Sequence, residues 1–266
     1  MRFCAFASGS SGNCIYTGSE ATHILVDVGI SGKRIENALN DIELTGRDLS
    51  GILITHEHSD HIGGLGVISR KYGIPIYATA ETLDAITKDK ATGVVDEQLF
   101  VPIVADKKFM IGDLTINPMR ISHDAANPLA YRISCENKKV AVCTDLGTFD
   151  EYTVDCLSNM DALLIEANHD IKMLQVGPYP YPLKQRILGN RGHLSNEASG
   201  RLLSRILHDG TKKVFLGHLS QENNLPDLAY EAVRLEITMS EDNNYRGDDF
   251  NISVAKRSEP SELIEI

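Results

Sequence analysis

The stretch Thr55-His56-Glu57-His58-Ser59-Asp60-His61 follows directly on the apolar run of residues 51–54. In an extended segment, residues i and i+2 point to the same side, so His56 and His58 can bind one ion together. The chain must then turn, which lets Asp60 and His61 face a second ion. One histidine on a solvated loop would mean little. Three histidines and a carboxylate at this spacing behind a strand predict a metal site.

The HxHxDH spacing of residues 56–61 resembles the signature of the metallo-β-lactamase superfamily. That resemblance implies a later histidine, a bridging carboxylate and a terminal histidine, for which the candidates are His123, Asp145 and His218. Each of the three stands just beyond the end of a short apolar run. Side chains at strand ends are held rigidly and still reach solvent, which is where sheets commonly carry their chemistry.

The same resemblance implies how the ligands are shared between two divalent ions, zinc or manganese. The first ion would be held by His56, His58 and His123. The second would be held by Asp60, His61 and His218. Asp145 would join the two ions, and a single-ion form stays open. Asp27 resembles the aspartate that steadies this loop in the family, although an ordinary strand-end turn residue would look the same.

Short apolar runs alternate with helical patterns along the chain. The segments that predict strands are residues 2–7, 14–17, 24–28, 51–55, 74–78, 98–104, 108–111, 114–121, 129–135, 140–144, 162–166, 213–216 and 250–255. Those that predict helices are residues 32–39, 62–72, 80–89, 196–208 and 226–238. The resemblance implies an α/β (α+β) fold, the metallo-β-lactamase αββα sandwich, with two mixed sheets flanked by helices.

Length and composition place limits on the class of protein. The 266 residues predict one domain that spans residues 1–266. A formal net charge of −11 argues against a surface that is basic throughout, as in many nucleic-acid binders, but leaves a local basic patch open. No apolar run approaches the roughly 18 residues that span a bilayer. The N-terminus lacks the apolar stretch of a secretion signal, and five cysteines without a CxxC pair are typical of a reducing compartment. We therefore expect a cytoplasmic protein with no membrane association.

Two later segments favour phosphodiester chemistry over other branches of the superfamily. Residues 216–224 are similar to the terminal-histidine motif of its phosphodiesterases and nucleases. Residues 192–199 resemble a segment of transfer-RNA 3′-processing enzymes in which a histidine assists the leaving group, and His193 would take that role. The alternative for His193 is a solvated residue at a helix entry. Residues 166–169 resemble the acidic strand end that orients such a histidine.

Two further segments are candidate contacts for phosphate. Residues 6–13 form a glycine-rich connection between two strands, whose backbone N–H groups can cup an anion, so that Ser10, Ser11 and Asn13 would touch phosphate. A tight hairpin is the alternative. Residues 171–196 contain no acidic residue but carry Lys184, Arg186 and Arg191, which can track a phosphate backbone. The alternative is a solvated loop with structural prolines.

Over nearly its whole length the chain resembles the YycJ (WalJ, VicX) group of bacterial proteins, most specifically at Gly-Pro-Tyr-Pro-Tyr-Pro-Leu-Lys-Gln-Arg-Ile-Leu, residues 177–188. The resemblance implies a metal-dependent hydrolase with 5′→3′ exonuclease activity, a nucleic-acid substrate with DNA favoured over RNA, and catalytic roles for Asp60 and His193. Two alternatives stay open: a thioester or small-ester hydrolase of the glyoxalase II type, and a metal-stabilised regulatory module. The sequence predicts no oligomeric state.

Overall fold

The apolar runs form fourteen strands within residues 1–89 and 92–266, the part of the chain that the computed structural model describes. These strands are β1 (Arg2–Ala7), β2 (Cys14–Gly18), β3 (His23–Val26), β4 (Leu49–Leu53), β5 (Ile76–Thr79), β6 (Phe100–Ile103), β7 (Phe109–Ile111), β8 (Leu114–Arg120), β9 (Leu129–Cys135), β10 (Lys138–Cys143), β11 (Ala162–Glu166), β12 (Lys213–Gly217), β13 (Ile252–Val254) and β14 (Ile264–Glu265). Only β14 was not predicted.

The helices are α1 (Gly32–Asn40), α2 (Ser59–Ile62), α3 (Leu65–Tyr72), α4 (Ala80–Lys88), α5 (Glu151–Leu157), α6 (Ile171–Val176), α7 (Tyr181–Leu188), α8 (Asn196–Ile206) and α9 (Pro226–Met239). The residues group into two compact units. The first comprises Met1–Arg120, Ala125–Lys138 and Lys256–Ile266, and the second comprises Ile121–Asp124 and Lys139–Ala255. A single domain over residues 1–266 stays a prediction.

The first sheet lies in the first unit and has the strand order β14-β1-β2-β3-β4-β5-β6. Strands β1, β2 and β3 pair antiparallel, and β3, β4, β5 and β6 pair parallel. Strands β2 and β3 are buried throughout, which explains their nearly continuous apolar sequence. Because parallel strands end at the same edge of a sheet, Asp27 after β3 and the histidine-rich turn after β4 fall side by side.

The second sheet is mixed as well. Its strands β7, β8 and β9 pair antiparallel in the first unit, and β7 joins β8 through a hairpin turn at Gly112-Asp113. Strands β10, β11, β12 and β13 pair parallel in the second unit. The carboxyl ends of three neighbouring parallel strands therefore bring Asp145, Glu166 and His218 to one edge.

The helix predictions for residues 32–39, 80–89, 196–208 and 226–238 are confirmed to within a few residues at their ends. The helix predicted over residues 62–72 is confirmed as α3 (Leu65–Tyr72), but it begins three residues later than predicted because the chain breaks at Gly63-Gly64, after the short helix α2. A Cβ atom at Gly64 would lie 2.1 Å from the carbonyl oxygen of Ile30, so the break lets two segments approach closely. Among the helices of residues 1–89 and 92–266, none has both the length and the apolar character that crossing a bilayer requires.

Three helices of the second unit, α5, α6 and α7, were not predicted. Helix α7 begins within the Pro-Tyr-Pro-Tyr-Pro segment, which suggested a loop. In the first turn of a helix the backbone N–H groups have no partner within the helix, so a proline there loses no hydrogen bond. The segment therefore starts a helix and does not prevent one. The cationic residues Lys184 and Arg186 therefore stand on a helix and not on a loop.

Candidate metal centre

The histidine-rich turn of the first unit gathers three imidazoles. His56 lies just beyond β4, His58 is the N-cap residue of α2, and His61 lies inside that short helix. The ring centroid of His56 is 4.5 Å from that of His58 and 4.1 Å from that of His61. His56 and His61 are fully buried, whereas His58 and Asp60 are partly exposed.

Asp27 holds this turn in place from the end of β3. Its Oδ1 accepts a hydrogen bond from the backbone N–H of Thr55 (2.8 Å), and its Oδ2 accepts one from the Thr55 hydroxyl (2.8 Å). The same Oδ2 lies 2.7 Å from Nδ1 of His61. A carboxylate bound to one ring nitrogen fixes the tautomer and directs the other nitrogen, Nε2, towards a metal. This geometry supports the steadying role for Asp27 over that of an ordinary turn residue.

Asn13 and Gly29 fasten the glycine-rich loop to the same turn. The backbone N–H of Asn13 donates to the carbonyl oxygen of Asp60 (2.8 Å), and that of Gly29 donates to the carbonyl oxygen of Asn13 (2.7 Å). A Cβ atom at Gly29 would lie only 1.7 Å from the Asp60 carbonyl oxygen, so this position requires glycine. Nδ2 of Asn13 lies 3.2 Å from Nε2 of His61. Asn13 is fully buried and contacts a candidate ligand, a role that the sequence did not predict.

The second unit brings a carboxylate between two histidines. Oδ1 of Asp145 lies 3.6 Å from Nε2 of His123 and 3.6 Å from Nε2 of His218. The other ring nitrogens have partners inside the unit: Nδ1 of His123 donates to the carbonyl oxygen of Gly192 (3.0 Å), and Nδ1 of His218 lies 2.8 Å from Oε1 of Glu166. Both histidines therefore direct Nε2 towards the same carboxylate.

Glu166, at the end of β11, organises two histidines at once. Its Oε1 lies 2.8 Å from Nδ1 of both His193 and His218, and its Oε2 accepts backbone N–H groups from Leu146 (2.8 Å) and Leu194 (3.2 Å). Burial alone would raise the pKa of the Glu166 carboxyl, but the two imidazoles lower it to about 2. The sequence suggested an acidic strand end that orients His193, and the structure adds His218 to its partners.

His193 is held against the carboxylates but keeps partial exposure. Its Nδ1 lies 2.8 Å from Glu166 and 3.5 Å from Oδ1 of Asp145. Burial lowers the pKa of the His193 ring, but the charges of these two carboxylates outweigh it and raise the pKa above its ordinary value. Ligand atoms of Asp145, Glu166, His193 and His218 all lie within 4.8 Å of one another.

Three residues of the site region have a left-handed backbone, with φ of 59° at Asp27, 57° at Asp145 and 55° at His218. Such a conformation is unfavourable for any residue with a Cβ atom and tends to persist where the surrounding structure enforces it. At His218 the carbonyl oxygen accepts a hydrogen bond from Nδ2 of Asn168 (2.9 Å). Asn168 was not predicted, and the only signal for it was its place just after β11.

The cations predicted to bind phosphate lie in the second unit and contact internal acceptors. Nζ of Lys184 donates to the carbonyl oxygen of Gln175 (2.7 Å), and Arg186 pairs with the Asp124 carboxylate. Arg191 donates from Nε and Nη2 to the carbonyl oxygen of His123 (3.1 and 3.0 Å). Arg191 therefore steadies a candidate ligand. Ser10 and Ser11, by contrast, are exposed in the first unit.

The donor chemistry of both units fits divalent metal ions. Each unit supplies imidazole nitrogens and a carboxylate, the donor types that suit zinc and that manganese also accepts. In His61, His123 and His218, an acceptor within the same unit takes Nδ1, so Nε2 is the nitrogen of each ring that would bind a metal. This pattern is the usual support of metal-binding histidines in proteins.

Residues 22–218 match the beta-lactamase superfamily domain, and the chain belongs to that family. Two relatives are similar over most of the chain. "Exodeoxyribonuclease WalJ" of Streptococcus pneumoniae is 44% identical over 230 residues, which cover 86% of each chain. "Exodeoxyribonuclease YycJ" of Bacillus anthracis is 40% identical over 233 residues, which cover 88% of each chain. The resemblance to the YycJ (WalJ, VicX) group is thereby confirmed.

The fold prediction is confirmed as well. The metallo-beta-lactamase fold protein YhfI from Bacillus subtilis matches with a TM-score of 0.71 over 98% of this chain and 99% of that one, at 17% sequence identity. At such low identity the match concerns the fold alone. The chain has the metallo-β-lactamase fold, with two mixed sheets flanked by helices.

Proposed function

We propose that this chain is a metal-dependent nuclease that hydrolyses phosphodiester bonds in DNA. The observation that carries the proposal is the Asp145 carboxylate, which lies 3.6 Å from Nε2 of both His123 and His218. A carboxylate in this position is suited to joining two ions of like charge. The names of the two bacterial relatives, both exodeoxyribonucleases, support DNA as the substrate and an exonuclease mode of cleavage.

The ligand assignment is part of this proposal. We expect that His56, His58 and His123 would hold one divalent ion, that Asp60, His61 and His218 would hold the other, and that Asp145 would be shared. The buried acceptors behind the rings, Asp27 and Glu166, support this assignment because they fix the tautomers of His61 and His218. Zinc and manganese both suit these donors.

Two divalent ions in such a site supply an activated water and positive charge for the phosphate oxygens. The chain's own contribution to the departing oxygen is His193. Its Nδ1 faces Glu166, so Nε2 is the nitrogen that can hold and release a proton. The carboxylates of Glu166 and Asp145 raise the pKa of His193, which favours the protonated ring that a general acid needs. Asp60 is catalytic through its place in the metal centre.

The finer parts of the proposal are 5′→3′ polarity, a preference for DNA over RNA, and a cytoplasmic location, where such a substrate is available. The surface charge does not decide among substrates, since the chain carries a formal net charge of −11. The names of the two relatives support DNA as the substrate. The 5′→3′ polarity and the location rest on the resemblance of residues 177–188 to the YycJ group, and each can be measured directly.

The test incubates zinc- or manganese-loaded protein with DNA and RNA oligonucleotides of one sequence, labelled at either end. We expect stepwise shortening of DNA from the 5′ end. Asp60→Ala combined with His61→Ala should abolish cleavage, whereas Asp41→Ala, at an exposed carboxylate of the first unit, should not alter it. Equal cleavage by the Asp60 and His61 double variant would attribute the activity to a contaminant.

Two further arms separate this function from the alternatives. Turnover of S-lactoylglutathione without turnover of bis-p-nitrophenyl phosphate would replace the nuclease with a thioester hydrolase. His193→Gln should lower kcat by about 100-fold or more while metal content stays at the wild-type value, because the proton donor is lost and the ligands remain. Unchanged kcat in this variant would remove His193 from the mechanism.

A further inference from the structure

The C-terminal segment of the first unit places an arginine against the glycine-rich loop. Nη1 of Arg257 lies 3.4 Å from the hydroxyl oxygen of Ser10 and 3.5 Å from that of Ser11. The two segments also join through their backbones, because the N–H of Ser8 donates to the carbonyl oxygen of Lys256 (3.1 Å). One guanidinium and two exposed hydroxyls therefore share one small surface, although they come from opposite ends of the chain.

We propose that Arg257, Ser10 and Ser11 form a binding site for a phosphate group of the substrate strand other than the one being cleaved. A guanidinium presents several N–H donors in a planar fork that matches phosphate oxygens, and it stays charged at any relevant pH. Hydroxyls that now accept from Arg257 can rotate and donate to an oxyanion. A phosphate oxygen would then accept from all three side chains at once.

The position of this site fits a strand that passes the metal centre. Ser11 is two residues from Asn13, whose backbone N–H donates to the carbonyl oxygen of Asp60 and whose Nδ2 lies 3.2 Å from Nε2 of His61. The proposed phosphate site and the Asp60–His61 ligands are therefore parts of one hydrogen-bonded structure within the first unit. A nucleic acid carries a phosphate on every nucleotide, so a strand held at the ligands brings neighbouring phosphates along this loop.

A second arginine holds the first in position. Nη2 of Arg34, at the start of α1, lies 3.4 Å from the carbonyl oxygen of Arg257. The sequence had placed the phosphate-binding cations at Lys184, Arg186 and Arg191, which contact acceptors in the second unit. The sequence did not predict a role for Arg257 because it lies 247 and 246 residues from Ser10 and Ser11, which it contacts.

This inference rests on the proposed nuclease function, and its test distinguishes a failure of the phosphate site from a failure of that function. Four metal-loaded proteins are compared on single-stranded DNA and on bis-p-nitrophenyl phosphate. They are the wild type, Arg257→Ala, Arg257→Lys and the combined Ser10→Ala, Ser11→Ala variant. Arg257→Ala should lower kcat/KM for the oligonucleotide at least tenfold, and Arg257→Lys should lose less. Turnover of the small diester, which has no second phosphate, should stay within twofold. The slope of log kcat/KM against log salt concentration should become shallower by about one.

Oligonucleotides with a 5′-phosphate or a 5′-hydroxyl identify which phosphate is bound. A loss confined to the 5′-phosphorylated strand means a terminal phosphate, and an equal loss on both means an internal phosphodiester; either result supports the site. The matched control is Arg47→Ala, at an exposed arginine of the same unit, which should behave as wild type. Thermal unfolding should show the same Tm for Arg257→Ala as for wild type.

Two results would overturn the site. The first is a kcat/KM of Arg257→Ala for the oligonucleotide that stays within twofold of wild type. The second is an equal fall in kcat/KM for the oligonucleotide and the small diester, which would make Arg257 purely structural. Binding of a labelled 5′-phosphorylated oligonucleotide to the metal-free chain, followed by fluorescence anisotropy, gives a readout that needs no cleavage. If wild type cleaves no nucleic acid, the proposed function fails while the anisotropy still decides the phosphate site: equal Kd values for wild type and Arg257→Ala reject it.

Discussion

Oδ2 of Asp27 lies 2.7 Å from Nδ1 of His61, and both side chains are fully buried. Asp27 also accepts two hydrogen bonds from Thr55, so one carboxylate fixes the start of the turn and the ring near its end. A buried carboxylate without such partners would be strongly destabilising. The pair therefore serves both the stability of the first unit and the orientation of His61.

Asp27→Asn should weaken metal binding about 10- to 100-fold, because the amide cannot satisfy the Thr55 N–H, the Thr55 hydroxyl and the His61 ring together. Metal dissociation constants from chelator competition measure the effect. Asp41→Asn, at an exposed carboxylate, is the matched control and should bind metal as wild type does. Equal affinities for the Asp27 and Asp41 variants would show that Asp27 is only a turn residue.

Glu166→Gln should destabilise the metal-free protein by about 2–4 kcal/mol. The carboxylate accepts from two histidines through Oε1 and from two backbone N–H groups through Oε2. Whichever way the amide of glutamine turns, its NH₂ group faces two donors. Urea unfolding measures the change in free energy, and Glu151→Gln, in an exposed ion pair with Arg205, should change it by less than about 1 kcal/mol. Similar losses in both variants would contradict the central role of Glu166.

The candidate histidine and aspartate ligands could be proposed from the sequence because their signal is local. Residues 56–61 are contiguous, and His123, Asp145 and His218 each follow an apolar run that the structure confirms as a strand of the sheets. Strand assignment was reliable for the same reason, since buried parallel strands are continuous apolar runs. The sequence therefore predicted where the donor atoms stand along the chain.

The groups that hold those donors could not be predicted, because their partners are distant in sequence. Asn13 contacts His61 across 48 positions, and Asn168 contacts His218 across 50. An asparagine has no pattern that distinguishes such a role from a turn. Helix α7 was missed for another reason: prolines usually interrupt a helical pattern, and here they begin the helix.

Alanine variants of Arg191 and Lys184 should differ in their turnover of a small phosphodiester, although the sequence suggested phosphate binding for both residues. Arg191→Ala should lower turnover of bis-p-nitrophenyl phosphate as well as of DNA, since two bonds to the His123 carbonyl are lost. Lys184→Ala should leave turnover of the small diester unchanged, because Lys184 contacts the carbonyl of Gln175. Steady-state kinetics on both substrates check this. If the Arg191 variant turned over the small diester as wild type does, Arg191 would be a candidate phosphate contact, as the sequence suggested.

Gly29→Ala should destabilise the first unit by about 1–3 kcal/mol and weaken metal binding. The new Cβ atom would lie 1.7 Å from the Asp60 carbonyl oxygen, so the backbone must move and the bonds that join Asn13 to Asp60 and Gly29 must lengthen. Gly189→Ala is the control, since its Cβ atom would meet nothing closer than 3.2 Å. Thermal unfolding and chelator competition measure the two effects. A Gly29 variant that equals the Gly189 variant would show that the turn is not closely packed.

His169 should make the second unit acid-sensitive. Burial lowers the pKa of its ring from 6.5 to about 4, and its Nδ1 lies 3.3 Å from Oδ1 of Asn168. The folded state therefore holds His169 neutral, while the unfolded chain takes up a proton at its ordinary pKa. The stabilising contribution is fully present above pH 6.5 and is lost as the pH falls towards 4, by about 3 kcal/mol at most.

Urea unfolding of the metal-free protein between pH 4 and 7.5 measures this contribution, and EDTA keeps metal release out of the comparison. In His169→Gln the free energy of unfolding should fall less steeply as the pH is lowered. The difference from the wild-type slope against pH should correspond to at most one proton. His208→Gln, at a half-buried histidine of the same unit, controls for loss of an imidazole as such. Parallel pH profiles for wild type and His169→Gln would mean that the buried ring accepts its proton without unfolding, which would require a partner for Nε2 that forms only in acid.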